Sequence, residues 1–144
     1  MISTKGRYAL RVMIDIALYS NGEYITLKDI AEREEISQKY LEQVIALLNK
    51  AGMVQSLRGN NGGYRLSKRA SEYTAGEILR VAEGSLSCVS CLSASKNTCP
   101  HLDHCSTISF WQGFDEVVKN YVDKITLEDL ANNYKNKLGY DYSI

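Results

Sequence analysis

Thr26-Leu-Lys-Asp-Ile-Ala-Glu-Arg-Glu-Glu-Ile-Ser-Gln-Lys-Tyr-Leu-Glu-Gln-Val-Ile-Ala-Leu-Leu-Asn-Lys-Ala-Gly52 holds two helical patterns separated by about three residues, Glu34-Glu35-Ile36. The first pattern is short. Leu27, Ile30 and Ala31 recur at helical spacing behind Thr26. The second opens at Ser37, a good N-cap, and sets Tyr40, Leu41, Val44, Ile45, Leu47 and Leu48 on one face before Ala51-Gly52 stops it. Two helices joined this tightly must cross at a large angle, which predicts a helix-turn-helix.

The flanks extend that reading. On the C-terminal side, Met53-Val-Gln-Ser-Leu-Arg58 and Tyr64-Arg-Leu-Ser67 alternate as strands do, joined by Gly59-Asn-Asn-Gly-Gly63, and Asn-Gly is a strong hairpin signal. On the N-terminal side, Thr4–Tyr19 reads as a mostly buried helix with Thr4 at its N-cap, stopped by Asn21-Gly22. Three helices followed by a hairpin predict a mainly α fold with a small β-hairpin, a winged helix-turn-helix. Thr74 caps a fourth helix that Gly84 closes. Ser106 is expected to cap a long helix running to about Lys124, with Ile108, Trp111, Phe114, Val117, Val118, Tyr121, Val122 and Ile125 as its apolar positions. Thr126 begins a last short helix, and Tyr140–Ile144 reads as a mobile end. The division expected is 1–84 for a winged-helix unit, 85–105 for a cysteine-rich cluster loop and 106–144 for a dimerisation helix and tail.

Composition narrows the class. With 44% apolar and 24% charged residues over 144 positions, the chain can bury one ordinary globular core. No apolar run approaches the roughly 18 residues of a membrane span, and the N-terminus lacks the apolar centre of a signal peptide. A cytoplasmic protein with no membrane partner is expected. The net charge of zero is uninformative, but its distribution is not. Residues 36–70 carry Lys39, Lys50, Arg58, Arg65, Lys68 and Arg69 against Glu42 alone, whereas residues 81–144 carry five lysines against eight acids. A basic segment in a neutral chain is a footprint for a phosphate backbone.

The early turns of a recognition helix are the ones that meet base edges. Glutamine pairs with adenine and a carboxylate accepts from cytosine N4, while lysine and tyrosine reach phosphates. The hairpin sets Arg58 where a guanidinium enters a minor groove, and the adjoining glycines allow close backbone approach. The contact set expected on DNA is Ser37, Gln38, Lys39, Tyr40, Glu42, Gln43, Arg58 and Gly59. The long helix after the loop is too apolar for one solvated face of a small monomer, and winged-helix regulators bind palindromes as dimers. A homodimer through residues 106–125 on palindromic duplex DNA follows, with Trp111, Phe114, Val118 and Tyr121 as its stripe. No P-loop or nucleophile elbow is present, and the glycines at 59–63 lack the following Lys-Ser/Thr of a phosphate loop. A non-enzymatic protein is expected.

All four cysteines, Cys88, Cys91, Cys99 and Cys105, fall in a Ser/Asn/Thr-rich stretch with the pattern C-x2-C-x7-C-x5-C. Paired disulfides are unusual in the cytoplasm, and polar loop sequence is a poor setting for core cysteines. The spacing is not that of a zinc ribbon. An iron–sulfur cluster stands ahead of zinc, and both stand ahead of an unliganded loop. His101 and His104 are further possible donors.

Several segments together resemble the iron–sulfur cluster regulator family that includes the IscR, NsrR and CymR repressors. They are Ser3-Thr-Lys-Gly-Arg-Tyr-Ala9, Ile36-Ser-Gln-Lys-Tyr-Leu-Glu-Gln43, Arg58-Gly-Asn-Asn-Gly-Gly-Tyr64, Thr74-Ala-Gly-Glu-Ile-Leu79 with Glu83-Gly84, and Thr126-Leu-Glu-Asp-Leu130. The resemblance covers nearly the whole chain. It implies a homodimeric winged-helix transcription factor, most simply a repressor, with a 2Fe-2S cluster ahead of a 4Fe-4S cluster and zinc as the alternative. Three loop cysteines before a tryptophan are the family's ligands. With Trp111 as anchor, Cys99 and Cys105 match its last two positions and Cys91 its first, two residues displaced. The histidine that IscR-type members carry three residues after the last cysteine is Ile108 here, so Cys88 becomes the first choice as fourth ligand. The resemblance also implies a second reading. In it a CymR-like regulator of cysteine metabolism answers to a protein partner, O-acetylserine thiol-lyase, through the terminal Ile144, and the cysteines bind zinc or act as a thiol switch.

Overall fold

The computed structural model describes residues 1–94, 96, 97 and 99–142. It is a winged helix-turn-helix extended by two further helices. Its order is α1 (Thr4–Tyr19), α2 (Leu27–Glu34), α3 (Gln38–Lys50), β1 (Val54–Leu57), β2 (Gly63–Leu66), α4 (Ala75–Glu83), α5 (Ile108–Val122) and α6 (Leu127–Tyr142). Val12, Met13, Ile16, Ile30, Leu41, Val44, Leu48 and Ile78 are buried together where α1 to α4 meet.

Local chemistry places the helix-turn-helix. Thr26 caps α2 by accepting from the Asp29 N–H at 3.1 Å, and Ser37 caps α3 by accepting from Tyr40 at 3.2 Å. Between them Glu35 adopts left-handed φ 55°, ψ 43°, which ends α2 and turns the chain into α3. β1 and β2 pair antiparallel with Leu57 opposite Gly63. Ile25 adds a bridge to Tyr64. A Cβ on Gly63 would lie 2.2 Å from the Ile25 carbonyl oxygen, so this approach requires glycine. Tyr73 locks the wing from below. Fully buried, it donates its hydroxyl to the Met53 carbonyl at 2.6 Å and accepts from Ser67 and Lys68 N–H.

Three helix boundaries differ from the sequence reading. Ser3, not Thr4, is the N-cap of α1, and its side chain does not cap the helix. A distant residue does so instead. Glu83 Oε1 accepts from the Ser3 N–H, the Ser3 hydroxyl and the Gly6 N–H at 2.8, 2.6 and 3.0 Å. α5 begins at Ile108 with Thr107 at the N-cap, one residue beyond the expected Ser106. α6 is not a short helix. It runs 16 residues and packs back onto α1, with Leu127 fully buried in the common core. The backbone ties it there. Ala75 donates to Ile125, and Leu127 donates to Tyr73. The partner assigned to Ile144 falls outside the described residues.

α4 and the end of α5 are clamped by a bidentate pair, Arg80 to Asp123, at 2.7 and 3.1 Å. A Cβ on Gly76 would lie 2.0 Å from Asp123 Oδ1, so glycine makes room for the clamp. The Arg80 hydrogen bonds hold the Asp123 carboxyl below its usual value, outweighing its partial burial, with Lys119 adding a smaller attraction. A carboxyl depressed in the folded state contributes stability above its unfolded value of about 3.9 and loses it as pH falls further. Asp123→Asn should therefore melt below the wild type at pH 6, with the gap closing below about pH 4. A gap that is constant from pH 6 to pH 3 in thermal melts would contradict the clamp. No helix among the described residues is long and apolar enough to cross a membrane.

Candidate nucleic-acid interface and cysteine loop

α3 buries Leu41, Val44, Ile45 and Leu48 and turns Gln38, Lys39, Glu42 and Gln43 outward. Ser37 is exposed at the helix start. Tyr40 is half-buried, its ring edge-on to Tyr8 with centroids 5.3 Å apart. Arg58 and Gly59 are exposed where β1 enters the wing turn, and Gly59 takes φ 111°, a left-side conformation suited to glycine. The ion pairs among the described residues engage Arg11, Arg33 and Arg80, and leave Lys39 and Arg58 without an internal acid. The structure thus presents the eight expected residues along the start of α3 and the wing tip.

The basic segment is less uniform than its composition suggests. Arg65 donates to Gln55 and to the Gly22 carbonyl at 2.9 and 3.2 Å, and its guanidinium stacks 4.4 Å over Tyr24. The Lys68 ammonium lies 4.9 Å over the Tyr73 ring. Both cations brace the wing. Gln55 and Arg65 are direct cross-strand partners, the one sequence signal that could have shown this.

The cysteine loop joins α4 to α5 through short turns at Ser90–Leu92 and Leu102–His104. All four thiols are free. Cys88 is exposed, and Cys91, Cys99 and Cys105 are half-buried. Cys105 lies beside the N-terminus of α5, with its sulfur 3.7 Å from the Thr107 hydroxyl. Hydrogen bonds from the Thr107 backbone, the Thr107 hydroxyl and the Ile108 backbone lower its pKa against a small opposing effect of burial. That environment favours the thiolate, the form that binds metal. His101 and His104 are exposed.

The donor chemistry fits a soft iron centre: four free thiols in one connection, one of them biased to thiolate. Asn97 Nδ2, two positions before Cys99, is buried with no acceptor among the described residues, while its Oδ1 accepts from the Cys99 N–H at 2.9 Å. Among the described residues no three His, Cys, Asp or Glu stand where they would hold one metal ion. Sequence reasoning missed Asp115 of α5, which reaches back to Ser87 and Cys88.

No residue of α5 is buried. Ile108, Trp111, Asp115, Val118 and Val122 form its half-buried inner face. Phe110, Phe114, Val117 and Tyr121 are 62%, 45%, 69% and 67% exposed and form a second, outward stripe. The stripe expected from sequence was therefore misassigned in part. Trp111 and Val118 turn inward, and Phe110 and Val117 take the outer positions beside Phe114 and Tyr121. Their spacing, i, i+4, i+7 and i+11, is that of a helix–helix seam.

Known proteins agree with this architecture. A family model named Rrf2, described as an iron-dependent transcriptional regulator, matches residues 2–133. The transcriptional regulator IscR of Serratia proteamaculans is 39% identical over 132 residues, which cover 92% of this chain and 79% of that protein. Among solved structures, CymR (YrzC), the global cysteine regulator of B. subtilis, superposes with a TM-score of 0.75 at 38% identity, covering 92% of this chain and 97% of that one. IscR of T. potens gives a TM-score of 0.75 at 36% identity, covering 93% and 88%.

Proposed function

Since the chain belongs to the Rrf2 family of iron-dependent transcriptional regulators, we propose that it is a cytoplasmic homodimeric repressor. In this reading, an iron–sulfur cluster in the loop between α4 and α5 sets its affinity for a palindromic operator. Relatives across most of its length are named transcriptional regulators, so the chain is a regulator and not an enzyme. The observation that carries the reading is the position of the loop. It joins the last helix of the winged-helix core to the helix whose apolar face stands open. A change there moves the reading heads relative to one another, as control between distinct sites requires.

Each residue has a role in that scheme. Glu42 and Gln43 read base edges, Lys39 and Tyr40 hold phosphates, and Ser37 and Gln38 fix the start of α3. Arg58, with Gly59 allowing the approach, enters the minor groove. Cys91, Cys99 and Cys105 hold the cluster, with Cys88 as fourth ligand. The 2Fe-2S form is favoured over 4Fe-4S, and zinc without sulfide is the alternative. When bound, the cluster supplies a centre that oxidants or nitric oxide alter. The chain's own part is to keep the thiols near the α5 N-terminus and to transmit the loop's conformation into α5.

The DNA assignments are separable by experiment. Lys39→Ala should weaken binding to operator and random duplex alike and reduce the salt slope by about one. Gln43→Ala should lose discrimination at one base pair per half-site, roughly 1–3 kcal/mol. Equal losses on both duplexes for Gln43→Ala would remove it from base readout.

A further inference from the structure

The two ends of the cysteine loop meet α5 differently. Cys105 stands two residues before the Thr107 N-cap, so its position follows from the helix start. Cys88, at the other end, is held from within the helix. Ser87 Oγ donates to Asp115 Oδ2 at 2.6 Å. That hydroxyl is also 3.0 Å from the Val89 carbonyl, but it has one proton, and the short contact to a carboxylate is the stronger. The Cys88 N–H donates to Asp115 Oδ1 at 3.4 Å, and the Cys88 sulfur lies 3.8 Å from the same oxygen.

Asp115 does nothing else that the structure shows. It makes none of the ion pairs among the described residues. Nor is the loop held there by close apolar packing. A cleft of about 170 Å³ lies between loop and helix, lined by Leu86 and Leu92 of the loop and by Asp115 and Val118 of α5. Asp115 lies seven residues beyond Ile108, about 10 Å along the axis. α5 therefore anchors the loop at both ends, Cys105 through the helix start and Cys88 through Asp115, and the turn at Ser90–Leu92 carries the chain from Cys88 through Cys91.

We infer that Asp115 is the positioning residue of the cysteine loop. By holding the Ser87 hydroxyl and the Cys88 backbone against α5, it presents the Cys88 thiol as the fourth donor. This rests on the ligand set proposed above.

Two measurements on the full chain test it. In the metal-free protein, alkylation of Cys88 relative to Cys91 is followed by mass spectrometry. Asp115→Ala should raise the ratio about 5-fold, the factor that one net hydrogen bond represents. Asp115→Asn, which keeps one acceptor oxygen for the Cys88 N–H and removes the charge, should stay closer to wild type than to Asp115→Ala. An Asn variant as reactive as the Ala variant would mean the carboxylate acts only by its charge, and would overturn positioning. In the reconstituted protein, iron loss to a chelator should accelerate in Asp115→Ala and in Cys88→Ser by similar factors. The double variant should be no faster than either single one. Additive effects would place Asp115 outside the Cys88 position and refute the inference. If wild type takes up no iron, the ligand reading falls, while the alkylation ratio still decides whether Asp115 holds the loop.

Discussion

Leu127→Ala should destabilise the protein by about 2–5 kcal/mol, the range for emptying a fully buried leucine site. Leu127 has no exposed surface and belongs to the core that α1 to α4 build. Its backbone donates to Tyr73, the residue that locks the wing, and Thr126 bridges to Thr74. The loss should appear in urea unfolding as a lower midpoint with an unchanged slope, since one cooperative unit unfolds in both proteins. A loss below about 1 kcal/mol would mean that α6 is an appendage.

Phe114→Asp or Val117→Asp should convert the protein from about twice 16.2 kDa to a monomer of 16.2 kDa in sedimentation. Both side chains stand on the outer stripe of a helix with no buried residue. A carboxylate in a dry seam has no compensating partner and costs several kcal/mol. Operator affinity should fall roughly 10²- to 10⁴-fold, because two linked heads gain from effective concentration and a lone head does not. Variants that remain dimeric would move the interface elsewhere. A wild-type monomer that still binds a palindrome tightly would remove it.

The contrast between α3 and α5 shows what was legible in the sequence. Around α3 every signal was local. Ser37 caps its own helix, Asn-Gly turns its own hairpin, and the apolar period fits a helix that buries one face in its own core. α5 carries two apolar stripes, inner and outer, and periodicity alone does not separate a face that meets its own chain from one left open. Phe110 was missed for that reason. α6 was read as short because Asn132, Asn133, Asn136 and Gly139 dilute its pattern. Its position comes from contacts with Tyr73 and α1, more than fifty residues away in sequence. The distant cap at Glu83 and the reach of Asp115 to Ser87 are likewise tertiary. Such bonds leave no mark in the spacing of either partner. The cysteines were conspicuous in sequence, yet their joint geometry was not, since the spacing of donors in a loop does not fix how the loop folds.

The central claim is that the thiols of this loop hold an iron–sulfur cluster on which operator binding depends. The most direct measurement pairs two quantities on one anaerobically reconstituted sample: iron and sulfide content, and operator affinity. Both are followed in wild type and in Cys91→Ala, Cys99→Ala and Cys105→Ala. The expected result is iron and sulfide in stoichiometric amounts in wild type, loss of both in each variant, and an operator affinity that separates loaded from metal-free protein. Stoichiometric zinc without sulfide, full cluster content in all three variants, or one operator affinity across loaded and metal-free samples would contradict it.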